Sequence, residues 1–187
     1  MKKFAAVIML AACTLSAAPE SVLVRMTQSK YVSILPEPVV GECSLAADAS
    51  GRVRWRVLSP FESLTICNER GVFAFEKTSD GWRRLDTPFA EAVRRTAREI
   101  GRLAIGESSE DYNVRRDGDT ATLTPKSAGL RKFIKKIVVV YLGRFPKSLE
   151  FFETNGDKTV LSISEIRENP KGIEAAFDEK NFDKTEF

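Results

Sequence analysis

Residues 51–75 read GRVRWRVLSPFESLTICNERGVFAF, and this stretch decides the fold. Val53, Trp55 and Val57 alternate with two arginines, and a period of two places apolar side chains on one face of a strand and arginines on the other. Pro60 then ends the strand, because proline lacks the backbone donor that a ladder needs. Two more apolar runs follow, at 64–67 and 72–75. The stretch therefore predicts three consecutive strands of an antiparallel meander.

The rest of the chain continues this strand pattern around one helix. Thr87-Pro88 supplies a hydroxyl cap and a proline for a first turn, and apolar residues then recur at helical spacing until Gly106. The chain is thus predicted to be mainly β with an α lid: an unclosed antiparallel β-barrel of about eleven strands covered by one amphipathic helix. The other predicted strands are 22–35, 39–46, 112–116, 120–124, 134–142, 149–154 and 159–166, with a weaker last segment ending near Phe182.

The composition predicts one exported domain. Of 187 residues, 43% are hydrophobic and 29% charged, values typical of a single globular domain. Residues 1–18 are predicted to be a signal peptide, because Lys2 and Lys3 precede an apolar segment that is too short to span a bilayer. Residues 19–187 then form the mature domain.

Two cleavage sites remain open, and they lead to different locations. Leu10-Ala11-Ala12-Cys13 resembles a bacterial lipobox, which would make Cys13 a lipidation site and anchor the protein to a membrane. Cleavage by ordinary signal peptidase near Ser16 to Ala18 would instead release the chain into the periplasm. Cys43 and Cys67 are interpreted as buried apolar residues, because an intervening strand would separate them by roughly 9.5 Å, too far for a disulfide.

The missing residue types argue against an enzyme. The chain has no histidine, so it lacks a Ser-His-Asp triad, a His-ligated zinc and an imidazole base. The aspartates at positions 117, 119 and 157 lie in predicted turns without a calcium-loop pattern. A net charge of +3 gives no indication of nucleic-acid binding. We therefore expect no catalytic residues, no cofactor, no metal and no nucleic-acid partner.

Several short motifs together carry a resemblance to the periplasmic outer-membrane lipoprotein carrier family, LolA. It covers most of the mature chain, and the motifs occur in the family's order: Met26-Thr27-Gln28, Val53-Arg54-Trp55, Ser59-Pro60, the turn 68–71, Tyr112-Asn113-Val114, Leu123-Thr124-Pro125-Lys126, Gly156-Asp157-Lys158-Thr159 and Phe177. The chain departs from the family in lacking an amphipathic helix before its first strand. It also has Ala49-Ser50 where the family has an arginine that helps to close the lid, so Arg52 and Arg54 are the nearest candidates for that role.

The resemblance implies a monomeric carrier that shuttles acyl chains between membranes without ATP or metal. Its implied partners are lipoprotein acyl chains or another lipid, an inner-membrane release complex and an outer-membrane acceptor. Two alternatives stay open on the same fold. One is an anchored acceptor similar to LolB, and the other is a non-transporting sensor or interaction module whose interior is filled by its own side chains.

A lipid cavity is predicted under the helix. Burying a sixteen-carbon acyl chain is worth roughly 12 kcal/mol, so a carrier needs a dry apolar interior. The same residues also fit an ordinary core, because apolar side chains at strand or helix spacing are usually core. The predicted cavity residues are Trp55, Val57, Leu64, Ile66, Phe73, Phe75, Phe89, Val93, Ile100 and Leu103.

Two basic groups are candidate contact sites. Arg94, Arg98 and Arg102 recur at intervals of four along the helix and could meet lipid head groups or an acidic partner. The alternative is a solvated helix face paired with Glu91 and Glu99. The second group surrounds Phe133 and Ile134, and is either a docking site or a strand edge protected by charge: Arg131, Lys132, Lys135 and Lys136.

Overall fold

The computed structural model describes residues 18–87, 90–105 and 111–181, without the side chains of 91–93, 96, 104 and 105. The predicted signal peptide and Cys13 therefore lie outside the described residues, except for Ala18. Among the described residues, no helix is both long enough and apolar enough to cross a membrane. The strands are β1 (Ser21–Tyr31), β2 (Val39–Asp48), β3 (Val53–Val57), β4 (Ser63–Asn68), β5 (Gly71–Thr78), β6 (Gly81–Leu85), β7 (Tyr112–Asp117), β8 (Thr120–Pro125), β9 (Ile134–Leu142), β10 (Phe145–Glu153) and β11 (Lys158–Glu168). The helices are α1 (Ala90–Ile105) and the short α2 (Ala128–Arg131), and a 3-10 helix follows at Ile173–Phe177.

All eleven strands belong to one antiparallel sheet, in the order β6-β5-β4-β3-β2-β1-β11-β10-β9-β8-β7. Two meanders, β1 to β6 and β7 to β11, are joined by the pairing of the first strand with the last. The two edge strands, β6 and β7, are consecutive in the chain, and the segment between them contains α1. The helix therefore connects the two edges, and the sheet is an unclosed barrel, as the sequence predicts.

The helix packs on one face of this sheet, which we call the helix face. Its main core joins apolar side chains from both meanders with the underside of α1. Ala97, Ile100 and Leu103 are the buried helix residues of this core, as their helical spacing predicts. The opposite side is the outer face, on which Leu23 and Ala46 pack against the 3-10 helix.

Two arginines of β3 are buried on the outer face rather than exposed. Arg54 is only 3% exposed, and its Nη1 donates hydrogen bonds to the carbonyl oxygens of Ala176 (3.3 Å) and Asn181 (2.9 Å). Burial, with a smaller effect of Arg56, lowers the pKa of Arg54 to about 10. The C-terminal segment 173–181 is thus held on the sheet by a cation that the alternating pattern alone assigns to solvent.

The polar turn between β4 and β5 holds the same segment. The side-chain amide of Asn68 donates to the carbonyl of Phe177 at 2.9 Å, and Arg70 forms an ion pair with Glu179. Arg52 pairs with Glu174 at 2.5 Å and lies 4.7 Å from the ring centroid of Phe177. These contacts explain why the weak last segment is a packed 3-10 helix and not the predicted strand.

The predicted strand count is confirmed, but one strand lies elsewhere. The eleventh strand is β6, a five-residue edge strand that pairs only with β5 in the described sheet. Its sequence, GWRRL, has two adjacent arginines and too few apolar residues for a period-two signal. The interpretation of Cys43 and Cys67 is also confirmed, since both are free and buried on β2 and β4, with β3 between them.

Candidate functional site

A partly open apolar wall lies on the helix face at β3 to β5. Trp55 and Val57 are half-buried and pack at the margin of the main core. Thr65 pairs with Trp55, and Ala74 pairs with Thr65, so both lie on the same face; both are half-buried, as is Val72. We call these five residues the open wall. It is an apolar surface beside the helix that the chain's own side chains cover only in part.

The β8–β10 part of the helix face is filled, although Val114 of the edge strand β7, on the same face, is 44% exposed. The helix-face side chains of β8, β9 and β10 are almost completely buried and belong to the same main core as the underside of α1. Leu123, Ile137 and Val139 are fully enclosed, and Leu149 and Phe151 are nearly so. The interior is therefore asymmetric: solid on the β8–β10 side and partly exposed on the β3–β5 side.

A single glycine sets how closely the helix approaches the sheet. A Cβ at Gly101 would lie 3.1 Å from Ala47 Cβ and 3.1 Å from Val53 Cγ2. Such contacts are tighter than ordinary packing, so a larger residue here would move α1 away from β2 and β3. Gly101 thus lets the helix lie directly against Val53, which is fully buried next to the open wall.

Four of the predicted cavity residues lie on the opposite face. Leu64 pairs with Arg56, and Ile66 pairs with Arg54, so both share the outer face with those arginines. Phe75 and Phe73 pair with them in turn. The structure therefore corrects the prediction that one cavity collects all the apolar residues of β3 to β5. The register places each of these apolar residues of β4 opposite an arginine of β3, so the apolar residues of the two strands face opposite sides of the sheet.

These four residues form a separate core on the outer face. Leu64, Ile66 and Phe75 are buried together, and Phe73 and Trp82 pack against them. Cations close the cluster from outside: Arg56 lies 5.5 Å from the Trp82 ring centroid and also pairs with Glu62. The outer core explains why β5 is rich in aromatic residues without contributing them to the helix side.

Of the predicted helix contributors, Ile100 and Leu103 lie in the main core. Phe89 lies outside the described residues, and so does the side chain of Val93, although its backbone belongs to α1. Arg94, Arg98 and Arg102 are half-buried rather than fully solvated. Arg102 lies in the last turn, where a cation complements the helix dipole.

Two of these arginines lie beside the open wall. The charges of Arg98 and Arg94 act on the Cys67 thiol of β4. Burial nevertheless dominates there and raises the pKa of Cys67 to about 11. The Arg98 side chain packs beside Gly51, and its buried Nε makes no hydrogen bond within the described part of the chain. The guanidinium of Arg98 therefore lies beside the apolar wall, and its Nε–H can still donate a hydrogen bond.

A buried polar group under α1 was not predicted. Glu99 is only 2% exposed and lies near Tyr112 and Tyr141. Burial is the main cause that raises the pKa of Tyr112 to about 12, and the electrostatic effects of Glu99 and Asp111 raise it further. Burial also raises the pKa of Tyr141, with Arg116 opposing it at 4.7 Å from the ring. The available signal was spacing, since Glu99 lies four residues before Leu103 on the apolar side of the helix.

The two candidates for the lid-closing arginine bind other parts of the chain. Arg54 donates to the C-terminal segment on the outer face, and Arg52 pairs with Asp48 and Glu174. The helix is instead fixed by close packing at Gly101. In the described residues, no three Cys, Asp or Glu side chains are grouped as a metal site would require. A groove of about 330 Å³ with a mixed polar and apolar lining lies over β1 and β2, and its lining includes Arg25, Glu42 and Leu58.

The fold and the open wall together define a helix-covered open barrel with a partly exposed apolar interior. The sequence matches no protein-family model and no curated protein. The structure is similar to several solved ones, each over most of both chains.

One is a DUF1329 family protein from Desulfovibrio piger, with a TM-score of 0.47 and 11% identity over 88% of this chain and 92% of that one. Another is a LolA superfamily protein from Nitrosomonas europaea, with a TM-score of 0.45 and 12% identity over 87% and 91%. A third is a candidate outer-membrane lipoprotein-sorting domain from Vibrio parahaemolyticus, with a TM-score of 0.44 and 13% identity over 86% and 90%. These similarities concern the arrangement of the strands and the helix.

Proposed function

We propose that this protein is a carrier that binds the acyl chains of a lipoprotein, or of a related lipid, against the open wall beneath α1. The observation that carries the proposal is the asymmetry of the helix face. The β8–β10 side is filled by Leu123, Ile137 and Val139, whereas Trp55 and Val57 remain half-buried. An acyl chain laid along the wall would complete their burial, at about 25 cal/mol for each Å² of apolar surface removed from water.

The charge beside the wall supports a ligand with an anionic or polar head. Arg98 lies at the border between the helix and β3, and its Nε has no hydrogen-bond partner among the described residues. A buried guanidinium donor gains most from a charged acceptor, since such hydrogen bonds are about twice as strong as neutral ones. The head group of the lipid would therefore lie near Arg98, with the tail directed along the wall.

The wider role rests on the same proposal. The mature protein would work in the periplasm, take its lipid from an inner-membrane release complex and deliver it to an acceptor at the outer membrane, without a chemical step, ATP or metal. If Cys13 carries an acyl group, the same binding surface would belong to an anchored acceptor. Mass spectrometry of the native protein distinguishes the two, because acylation adds several hundred daltons.

The chain offers its own test, because its two tryptophans lie on opposite faces. Trp55 belongs to the open wall and Trp82 to the outer core. Trp82→Phe leaves one reporter beside the proposed ligand, and Trp55→Phe leaves one on the far side of the sheet. A brominated fatty acid should quench the fluorescence of the first protein and leave that of the second unchanged. Equal quenching of both, or of neither, would contradict the proposal.

A matched pair of valines tests the same face by affinity. Val57 and Val138 are both half-buried strand residues, but Val57 lies on the helix face and Val138 on the outer face of β9. Val57→Asp places a charge where the acyl chain would lie and should lower affinity for a fluorescent fatty acid at least tenfold. Val138→Asp should leave it within about twofold. Thermal melting of both variants shows that each is folded.

One observation favours a second candidate, a non-transporting sensor or interaction module. The β8–β10 half of the interior is packed solid with the chain's own side chains, as a module without cargo requires. On this alternative the open wall is the margin of an ordinary core. A folded protein whose Trp55 responds to no fatty acid would favour the module over the carrier.

A further inference from the structure

The edge of the sheet that bears the β1–β2 loop has an exposed apolar surface. Because neighbouring strands are antiparallel, the loops at 32–38, 58–62, 79–80, 126–133 and 154–157 all lie at the same end of the strands, which we call the loop edge. Ile34 is 86% exposed there and Phe61 is 82% exposed, and Leu35 and Phe133 are about half exposed. Large apolar side chains exposed together usually mark an interaction surface.

Hydrogen bonds connect the apolar loop to a basic one through a shared turn. The backbone N–H of Ser33, next to Ile34, donates to Asp157 Oδ1 at 2.9 Å. At the other end of the same turn, Thr154 Oγ1 donates to the carbonyl of Lys132 at 2.8 Å, and its backbone N–H donates to the carbonyl of Phe133 at 3.0 Å. The 154–157 turn therefore fixes the apolar loop and the loop before β9 side by side.

The second loop is strongly basic. Residues 126–136, KSAGLRKFIKK, contain five basic residues and no acidic one. Arg131, Lys132 and Lys135 are exposed, and they surround the exposed Phe133. If the basic residues only protected a strand edge from pairing, their charge would be explained. The exposed apolar side chain among them would not.

We propose that the loop edge docks on the surface of a phospholipid bilayer that contains anionic lipids, with Ile34 and Leu35 inserted at the interface and Arg131 and Lys132 on the head groups. Each exposed lysine or arginine near such a surface adds to the attraction, and apolar side chains between them provide the insertion that charge alone lacks. A protein partner would be expected to match this edge with acidic groups, which the test includes as an outcome.

This docking surface is separate from the open wall, so the two proposals can fail independently. The helix-face residues Trp55 and Val57 are not part of the loop edge. A variant that loses vesicle binding but keeps fatty-acid quenching of Trp55 leaves the carrier function intact. A protein that binds vesicles without any response from Trp55 leaves the docking surface intact.

The experiment measures flotation of the mature domain, residues 19–187, with vesicles, so that neither the predicted signal peptide nor an acyl group on Cys13 contributes. Vesicles of phosphatidylcholine alone are compared with vesicles that also contain phosphatidylglycerol. The parent should bind the anionic vesicles more strongly, and added salt should weaken that binding. Arg131→Glu with Lys132→Glu should lower the partition coefficient at least about tenfold. Ile34→Ser with Leu35→Ser should lower it about tenfold.

Matched controls come from elsewhere on the molecule. Leu142→Ser removes a side chain that is 75% exposed at the opposite edge, and Lys171→Glu with Lys180→Glu reverses two exposed lysines away from the loop edge. These controls should bind within about twofold of the parent. Equal binding to neutral and anionic vesicles, or equal losses in the controls and the loop-edge pairs, would overturn the proposal. Absence of vesicle binding by the folded parent would also overturn it and favour a protein partner.

Discussion

Arg54 is the residue that joins the sheet to the C-terminal segment. Its guanidinium is buried between β3 and the last described turn, and it satisfies the carbonyl oxygens of Ala176 and Asn181. A buried carbonyl without a donor costs about 1–3 kcal/mol, whereas removal of the buried cation recovers part of its desolvation energy. The side chain is thus structural, and its charge is tolerated because backbone oxygens surround it.

Arg54→Met should therefore lower the free energy of unfolding by about 2 kcal/mol, measured by urea denaturation. Arg25→Met on the same outer face is the matched control. Arg25 lies 3.6 Å from Glu165 in an exposed ion pair, and such pairs contribute about 0–1 kcal/mol. Similar losses in the two variants would show that the bonds to the C-terminal segment contribute nothing beyond a surface charge.

At the scale of the element, α1 lies on the sheet through its smallest residue. Gly101 lets the helix backbone approach Ala47 and Val53, where an added Cβ would already be at 3.1 Å. Helix propensity alone would favour almost any other residue at this position, by up to about 1 kcal/mol. The glycine is explained by close packing against β2 and β3.

Gly101→Leu should therefore destabilise the protein by about 1–3 kcal/mol, because the side chain has no space between helix and sheet. The control is Gly129→Leu in α2, where the nearest atom to an added Cβ is Ser127 Oγ at 4.0 Å. That variant should change stability by less than about 0.5 kcal/mol. Thermal or urea unfolding measures both, and a neutral Gly101→Leu would mean that α1 is not closely seated.

The strands themselves could be predicted from the sequence, because period-two alternation in 53–57 and apolar runs in 64–67 and 72–75 are local signals. Their relative faces could not. Whether Leu64 joins Trp55 or opposes it depends on which residues pair across β3 and β4, and that register is set by the intervening loop and the pairing of the whole sheet. The sequence therefore located the aromatic residues of β5 but assigned them to the wrong side.

The sequence pattern also could not predict which polar residues are buried. Arg54 and Glu99 are residue types that composition assigns to solvent, and only distant segments show why they are enclosed. Arg54 donates to backbone carbonyl oxygens more than a hundred residues away. The helix was predictable, because the start signal Thr87-Pro88 and the spacing of Ile100 and Leu103 are local.

At the scale of the whole molecule, the first and last strands pair at the centre of the sheet, and each meander forms one half of the interior. In the second meander the helix-face side chains of β8 to β10 are buried, although Val114 of β7 is 44% exposed, and the first meander has the open wall. An interior that is half solid and half open can keep its fold without a ligand, because the filled half and the outer core hold the sheet together. Ligand binding would then change one half more than the other.

Hydrogen exchange should reveal this asymmetry if the carrier proposal holds. A saturating fatty acid, at about a hundred times its dissociation constant, adds about 2.7 kcal/mol to global stability. Amides that exchange by local opening gain protection only where the ligand packs, so β3 to β5 and α1 should slow, whereas β8 to β10 should change little. The Val57→Asp variant should lose the local effect, and Val138→Asp should keep it. Equal protection of the two regions would place the ligand elsewhere, because the helix-face side chains of β8 to β10 are already buried.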